Sequence, residues 1–245
     1  MTRPSVGCLA VVALALTLPA ASNAAGRSDP YFGSNLDCSP VLTDKQALDV
    51  TKTARNVVES VKTGPGPRDY QCSWSVASKD RGSTLVVAVT DFSQRPARRA
   101  MWESMCAPDN PLPRDLRKRL CAAAEDVLQV ATPTQALEAY TTLMQAVSGR
   151  SGKTKLRLDD GARGYWVGGV SGGAVTLVGP GWTLVHAACL NLAAQTVERN
   201  CSVELLETVL RNFRLRAEEF CEAVEEKLCR APLVTPVPRS GRPRR

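Results

Sequence analysis

Eight cysteines spread between residues 38 and 229 constrain the fold of this 245-residue chain more than any other sequence feature. No CxxC pair is present and neighbouring cysteines are well separated, a pattern that argues against a zinc or dithiol motif. An even number of separated cysteines predicts a disulfide framework of up to four bonds in an oxidising compartment. The eight are Cys38, Cys72, Cys106, Cys121, Cys189, Cys201, Cys221 and Cys229.

The N-terminal segment predicts export. A single charge, Arg3, precedes an apolar stretch at residues 9–18 and small residues that end at Ala24. This layout is that of a secretory signal peptide over residues 1–24, and cleavage would remove the ninth cysteine, Cys8. The apolar stretch is shorter than the ~20 residues that span a bilayer. We therefore expect a soluble protein in the periplasm or outside the cell, a buried N-terminal helix being the alternative.

The positive charge of the chain is concentrated at its C-terminus. The formal net charge is +7, and residues 231–245 contain four arginines, four prolines and no acid. The high pI is therefore no sign of a nucleic-acid-binding face, and we predict no nucleic-acid partner. The Pro/Arg-rich tail is interpreted as a disordered end, or alternatively as a weak, salt-sensitive contact with anionic surfaces.

The remaining sequence predicts a polar leader at residues 25–36 and a single α+β domain at residues 37–230. Thr43 and Gln46 form a capping box at the start of a helix whose apolar spacing continues to Val61. A helical insertion is predicted near residues 96–147, and a long C-terminal helix from about residue 202 to residue 229. Alternating or β-branched segments predict five strands, at residues 70–76, 84–90, 164–170, 174–178 and 182–190.

This order of elements predicts the fold class and part of the cysteine pairing. We expect an antiparallel meander sheet of about five strands, packed with helices on one face and braced by disulfides. Cys38 precedes the first helix and Cys72 lies in the first strand, so this pair would join helix to sheet. Cys189 and Cys201 would bridge the last strand and the last helix. We expect the other four cysteines to link the helical insertion to the C-terminal helix, without assigning which cysteine pairs with which. These four are Cys106, Cys121, Cys221 and Cys229.

Two motifs resemble parts of known active sites but lack the rest. Residues 169–173 match the GxSxG nucleophile elbow, yet a strand-like segment follows Ser171 and the acid and later histidine of a triad are missing. We interpret the motif as a hairpin turn. Residues 151–154 (SGKT) resemble the end of a phosphate-binding loop, but Val147 stands where the motif requires glycine. This segment is interpreted as part of a basic loop at residues 148–161.

The polar residues that remain have structural interpretations. His186, the single histidine, lies in an apolar strand, where a histidine is more often hydrogen-bonded than catalytic. Asp159 and Asp160 precede Gly161 and predict a turn rather than a cation site. The acidic cluster of the last helix predicts a solvated face; it comprises Glu218, Glu219, Glu222, Glu225 and Glu226. We therefore predict no catalytic, cofactor-binding or metal-binding residue and no cofactor.

Three sequence features follow one another along the chain. They are a cysteine before a short helix (residues 37–43, DCSPVLT), a Cys-x-Trp strand (residues 72–74) and a Gly-x-aromatic strand (residues 164–166, GYW). This pattern resembles an uncharacterised family of small exported, cysteine-bearing bacterial proteins, mostly actinobacterial. The resemblance covers residues 37–90 and 164–215. It implies a fold similar to the PsbP-like α-β-α sandwich and supplies no catalytic residues.

Taken together, the sequence favours an exported, non-enzymatic binding protein that acts on a protein partner or a component of the cell envelope. An inhibitor or immunity-type role belongs to this class. The alternative is a secreted hydrolase using paired carboxylates, Asp159 or Asp160 with Glu198, because such pairs need no histidine.

Overall fold

The computed structural model describes most of the predicted domain. The predicted signal peptide, the polar leader and the tail lie outside the described residues, which are 38, 41–52, 57–63, 70–77, 82–92, 95–110, 112–149, 152–158, 163–169, 172–178 and 183–224. None of the described helices is both long and apolar enough to cross a bilayer.

Among these residues the sheet has eight strands, and every pair of neighbours is antiparallel. The path through the sheet is β1-β2-β3-β7-β6-β5-β4, with β8 paired to the end of β7. The predicted α+β class with an antiparallel meander sheet is confirmed, with eight strands in place of about five. The strands are β1 Val57–Thr63, β2 Tyr70–Ala77, β3 Gly82–Asp91, β4 Lys153–Arg157, β5 Arg163–Val167, β6 Gly173–Val178, β7 Thr183–Asn191 and β8 Thr196–Val197.

Five described helices complete the fold. Three of them lie between β3 and β4, where the sequence predicts a helical insertion, and the last is the predicted C-terminal helix. Their bounds are α1 Asp44–Thr51, α2 Arg95–Cys106, α3 Arg114–Leu128, α4 Pro133–Ser148 and α5 Arg199–Val224.

The first helix begins where predicted but ends earlier. The backbone N–H of Gln46 donates to Thr43 Oγ1 at 3.3 Å, and the backbone N–H of Thr43 donates to Gln46 Oε1 at 3.0 Å. The helix ends at Thr51, and Lys52 follows with φ 55° in the left-handed region. The prediction that the helix continues to Val61 is wrong, because the β-branched residues 57, 58 and 61 pair with β2 as strand β1.

The prediction of a basic loop at residues 148–161 is also wrong in part, because residues 153–157 form strand β4. This strand pairs with β5 at the end of the sheet. Its single buried side chain is Leu156, and the other four positions are exposed. With so little apolar content, the period of two is hard to distinguish from a solvated loop.

Helices cover both faces of the sheet, not one face as expected from the sequence. Successive residues of a strand point to opposite faces, so Leu184 packs with α2–α4 while Val185 packs with α1 and α5. The α5 side of the core includes Trp74, Leu85, Val87, Leu205, Leu206 and Phe213. The opposite side includes Leu120, Leu137, Leu143, Tyr165, Val175 and Leu177. Strand β6, covered on both sides, is buried at every position.

The helix layer α2–α4 packs against β5 and β6 through α4 and leaves part of the same sheet face accessible. On β2 and β3 the side chains of this face are partly or fully exposed, and Val58 of β1 is 66% exposed. The register places them on the same face as Val175 of β6, through Ala88 and His186. We call these residues the open sheet face: Val58, Ser75, Thr84, Val86 and Ala88.

Three disulfides join these elements. Cys38 bonds to Cys72 and Cys189 bonds to Cys201, the two pairs that the sequence predicts. Cys106 bonds to Cys121, which joins α2 to α3. The expectation that Cys106 and Cys121 clip the insertion to the C-terminal helix is therefore wrong, because α2 and α3 are packed together and bring these two sulfurs within bonding distance. The side chain of Cys221 and the whole of Cys229 lie outside the described residues.

Candidate functional site

A polar cluster joins α4 to the edge of the sheet, with the tyrosine ring buried and the two charged side chains partly accessible. The hydroxyl of Tyr165 on β5 donates a hydrogen bond to Glu138 Oε1 on α4. Lys153 Nζ on β4 donates to Glu138 Oε2 at 2.5 Å and lies 5.0 Å from the centroid of the Tyr165 ring. Tyr165 itself is only 1% exposed. One carboxylate thus accepts from two donors that come from two neighbouring strands.

The pKa values of this cluster fix its charges at neutral pH. Burial, together with the hydrogen bond to Glu138, raises the pKa of Tyr165 to about 12. Burial alone would raise the pKa of Glu138, but the hydrogen bonds from Lys153 and Tyr165 hold it below its usual range. The phenol is therefore neutral and the carboxylate ionised at pH 7. Since both carboxylate oxygens accept hydrogen bonds, the cluster is suited to positioning Lys153 rather than to proton transfer.

His186 lies on β7 where the open sheet face meets α4. Its Nε2 is 3.2 Å from the carbonyl oxygen of Gly172, so Nε2 carries the hydrogen of the neutral ring. The ring also makes an edge contact with Tyr140, the centroids being 6.2 Å apart. A Cβ at position 173 would lie 2.1 Å from His186 Nε2, so Gly173 is required for this close approach. These contacts match the sequence interpretation of a hydrogen-bonded sheet histidine.

Burial makes His186 a titrating group with a defined effect on stability. It lowers the pKa of the imidazole to about 4, partly opposed by the hydrogen bond to Gly172. The ordinary pKa of an imidazole, about 6.5, applies to the ring in the unfolded chain. The neutral His186 ring therefore makes its full contribution to the free energy of unfolding above about pH 6.5. This contribution is lost as the pH falls towards 4, because over that range only the unfolded chain binds the extra proton.

We expect the single imidazole to remain neutral down to about pH 4 in the folded protein. NMR titration of its ring protons measures this directly, since the chain contains one histidine. The urea midpoint should fall between pH 6.5 and 4 in the wild type, and less steeply in His186→Gln. An imidazole that titrates near pH 6.5 while the protein stays folded would contradict the burial of this ring.

A cavity of about 180 Å³ lies between the end of α1, the strands β3 and β7 and the start of α5. Its lining residues include two acids, Glu198 and Glu204, and one base, Lys52. Glu198 Oε1 accepts a hydrogen bond from Asn191 Nδ2 at 2.8 Å. The cavity is smaller than the roughly 300–1,000 Å³ of typical small-molecule sites. It can hold a small polar molecule, with Ser83, Asn191, Asn200 and the Cys189–Cys201 bond as further lining groups.

Most of the other residues singled out in the sequence lie outside the part of the chain that the structure describes. Asp159, Asp160 and Ser171 lie outside the described residues, so the proposed pairing of either aspartate with Glu198 is not seen. The GxSxG segment connects β5 and β6, which are antiparallel neighbours, so a strand and not a helix follows it. The SGKT segment leads into β4. The acidic cluster of the last helix lies outside the described side chains at Glu218, Glu219, Glu222, Glu225 and Glu226.

In the part of the chain that the structure describes, no group of three or more His, Cys, Asp or Glu side chains is placed to hold a metal ion. The sequence interpretation missed the Glu138–Lys153–Tyr165 cluster. Its signals are a lone acid in the otherwise uncharged helix α4 and the alternating cations of residues 153–157. No protein-family model matches the chain, and no curated protein or solved structure is significantly similar to it.

Proposed function

We propose that this chain is an exported, disulfide-stabilised binding protein without catalytic activity, which acts on a protein partner or another component of the cell envelope. Three disulfides within the described residues support an oxidising compartment, periplasmic or extracellular. Membership of the exported bacterial family that the sequence resembles is part of the same proposal.

The observation that carries the binding role is the open sheet face. Helices α1 and α5 cover the central strands on the back of the sheet, and the Cys38–Cys72 bond fixes β2 from that side. On the front, small polar and β-branched side chains of β2 and β3 remain accessible beside the layer α2–α4. A rigid sheet with one accessible face lets a partner bind without paying the entropy of ordering a loop.

The polar side chains on which catalysis would depend support the same proposal. Glu138 accepts from Lys153 and Tyr165, and His186 is bound to a backbone carbonyl. Their pKa values are displaced away from neutrality, which is unfavourable for a general acid or base at pH 7.

One observation favours a second candidate, the secreted hydrolase with paired carboxylates. Glu198 and Glu204 line the same cavity, so among the described residues Glu204 is the carboxylate available to pair with Glu198. Replacing both glutamates with glutamine would abolish hydrolysis and leave partner binding by the open sheet face unchanged.

The test of the binding role is affinity capture with the mature, oxidised protein from native envelope or culture medium. The variant Ser75→Arg/Val86→Arg places two large cations on the open sheet face. The matched control Ala122→Arg/Thr142→Arg places the same charges at exposed positions of α3 and α4. We expect a component that is retained by the wild type and the control and lost from the sheet-face variant. An identical set of retained components for all three proteins would contradict the proposal.

A further inference from the structure

We propose that strand β4, together with Arg163 of β5, binds a linear anionic polymer with repeated phosphate, sulfate or carboxylate groups. This surface is separate from the open sheet face and from the C-terminal tail. That such a polymer belongs to the cell envelope rests on the proposed export, whereas the binding chemistry rests on the residues alone. We call Lys153, Lys155, Arg157 and Arg163 the basic strand surface.

The register places all four cations on one face of the sheet edge. Lys153, Lys155 and Arg157 occupy alternate positions of β4, so they point to the same side. Arg157 is directly opposite Arg163, and Lys155 is opposite Tyr165. Alternate residues of a strand are about 7 Å apart, so the three cations of β4 extend over roughly 14 Å. A row of this kind fits an extended polyanion better than a single small anion.

The surface has more positive charge than its surroundings neutralise. The described segments α4, β4 and β5 contain four cationic side chains and one carboxylate, Glu138, which is already bound by Lys153 and Tyr165. Lys155 and Arg157 are exposed. By contrast, Arg99 on α2 forms an ion pair with Glu103 at 2.9 Å. Across residues 133–167 the net charge remains positive when Arg150, Asp159 and Asp160 are included.

Edge protection explains part of this pattern but not all of it. Lysines on an edge strand discourage pairing with another sheet, and β4 has β5 as its single partner among the described strands. Protection of the edge does not require Lys153 to be held by Glu138 above the ring of Tyr165. Holding one cation in place lowers the entropy lost when a polyanion binds the row. The Glu138–Lys153–Tyr165 cluster therefore acts as the support of this surface.

The test measures binding of the full mature, oxidised protein to long-chain linear polyphosphate at low salt. The variant Lys155→Gln/Arg157→Gln removes two cations from the basic strand surface. The control Lys118→Gln/Arg119→Gln removes the same charge from exposed positions on α3. We expect the surface variant to bind at least about tenfold more weakly than the wild type, and the slope of log K against log salt to decrease by about two, one for each lost contact. At the high-salt end of the same series, about 0.15 M, the control should stay within about threefold of the wild type, because a Debye length of about 8 Å screens distant charges.

Three results would overturn the proposal. If the surface variant and the control lose the same affinity for polyphosphate, binding depends only on the net charge of the protein. A second variant replaces the four tail arginines with glutamine: Arg239, Arg242, Arg244 and Arg245. If this variant loses polymer binding while the β4 substitutions have no effect, the polymer binds the tail. Tighter binding to phosphatidylglycerol vesicles than to polyphosphate would assign the surface to a membrane. None of these variants alters the open sheet face, so failure here is distinguishable from failure of the proposed function.

Discussion

Removal of the Cys38–Cys72 bond is expected to lower the free energy of unfolding more than removal of either other described disulfide. The bond closes a loop with a sequence separation of 34, against 15 and 12 for the other two. The chain-entropy relation gives about 4 kcal/mol for the longest loop and about 3 kcal/mol for each of the others. Both sulfurs lie in the α5 side of the core at 0% exposure, so relaxation at this site also disturbs the packing of Val41 and Leu42.

Urea denaturation of Cys38→Ala/Cys72→Ala measures this loss, with Cys106→Ala/Cys121→Ala as the matched control. Both variants lose one bond and leave no free thiol of that pair. A loss below about 1 kcal/mol for the Cys38–Cys72 variant would lie outside the usual effect of a native disulfide and would contradict the account of this bond as a structural brace.

Trp74→Ala is the single substitution with the largest expected effect on the core. Trp74 is 0% exposed on β2 and belongs to the cluster that α5 covers with Leu205, Leu206 and Phe213. Truncation of a fully buried tryptophan leaves a large cavity and costs about 3–5 kcal/mol. We expect the urea midpoint, followed by far-UV circular dichroism, to decrease accordingly.

Trp74→Phe is the control for that measurement. The indole Nε1 of Trp74 has no hydrogen-bond partner among the described residues, so phenylalanine removes an unsatisfied donor while it keeps most of the apolar volume. The Trp74→Phe variant should lose less than about 2 kcal/mol of the free energy of unfolding, as for other substitutions that retain most of the side-chain volume. Equal losses for alanine and phenylalanine would mean that the indole N–H, rather than the apolar volume, determines the contribution of this residue.

The parts of the fold that could be predicted are those in which local chemistry and packing agree. The capping box of Thr43 and Gln46 marks the start of α1, and the alternation around Trp74 marks β2. The end of α1 could not be predicted in the same way. The valines of β1 fit a helical stripe as well as a strand, and the partner strand β2 decides between them.

The polar cluster shows why sites are harder to predict than strands. Glu138 and Tyr165 are 27 residues apart in the chain and meet only after α4 has packed on β5. Neither residue belongs to a motif, so no spacing rule brings them together. The Cys106–Cys121 bond was missed for a similar reason, because eight cysteines allow 105 pairings and the packing of α2 on α3 selects this one.

The central claim is that the chain leaves the cytosol and that its cysteines become permanent crosslinks. The most direct measurement is mass spectrometry of the native protein, alkylated without reduction and then digested. We expect an N-terminus at Ala25, peptides linked through Cys38–Cys72, Cys106–Cys121 and Cys189–Cys201, and no alkylation at these six residues. Retention of residues 1–24 together with alkylation of these cysteines would contradict the account.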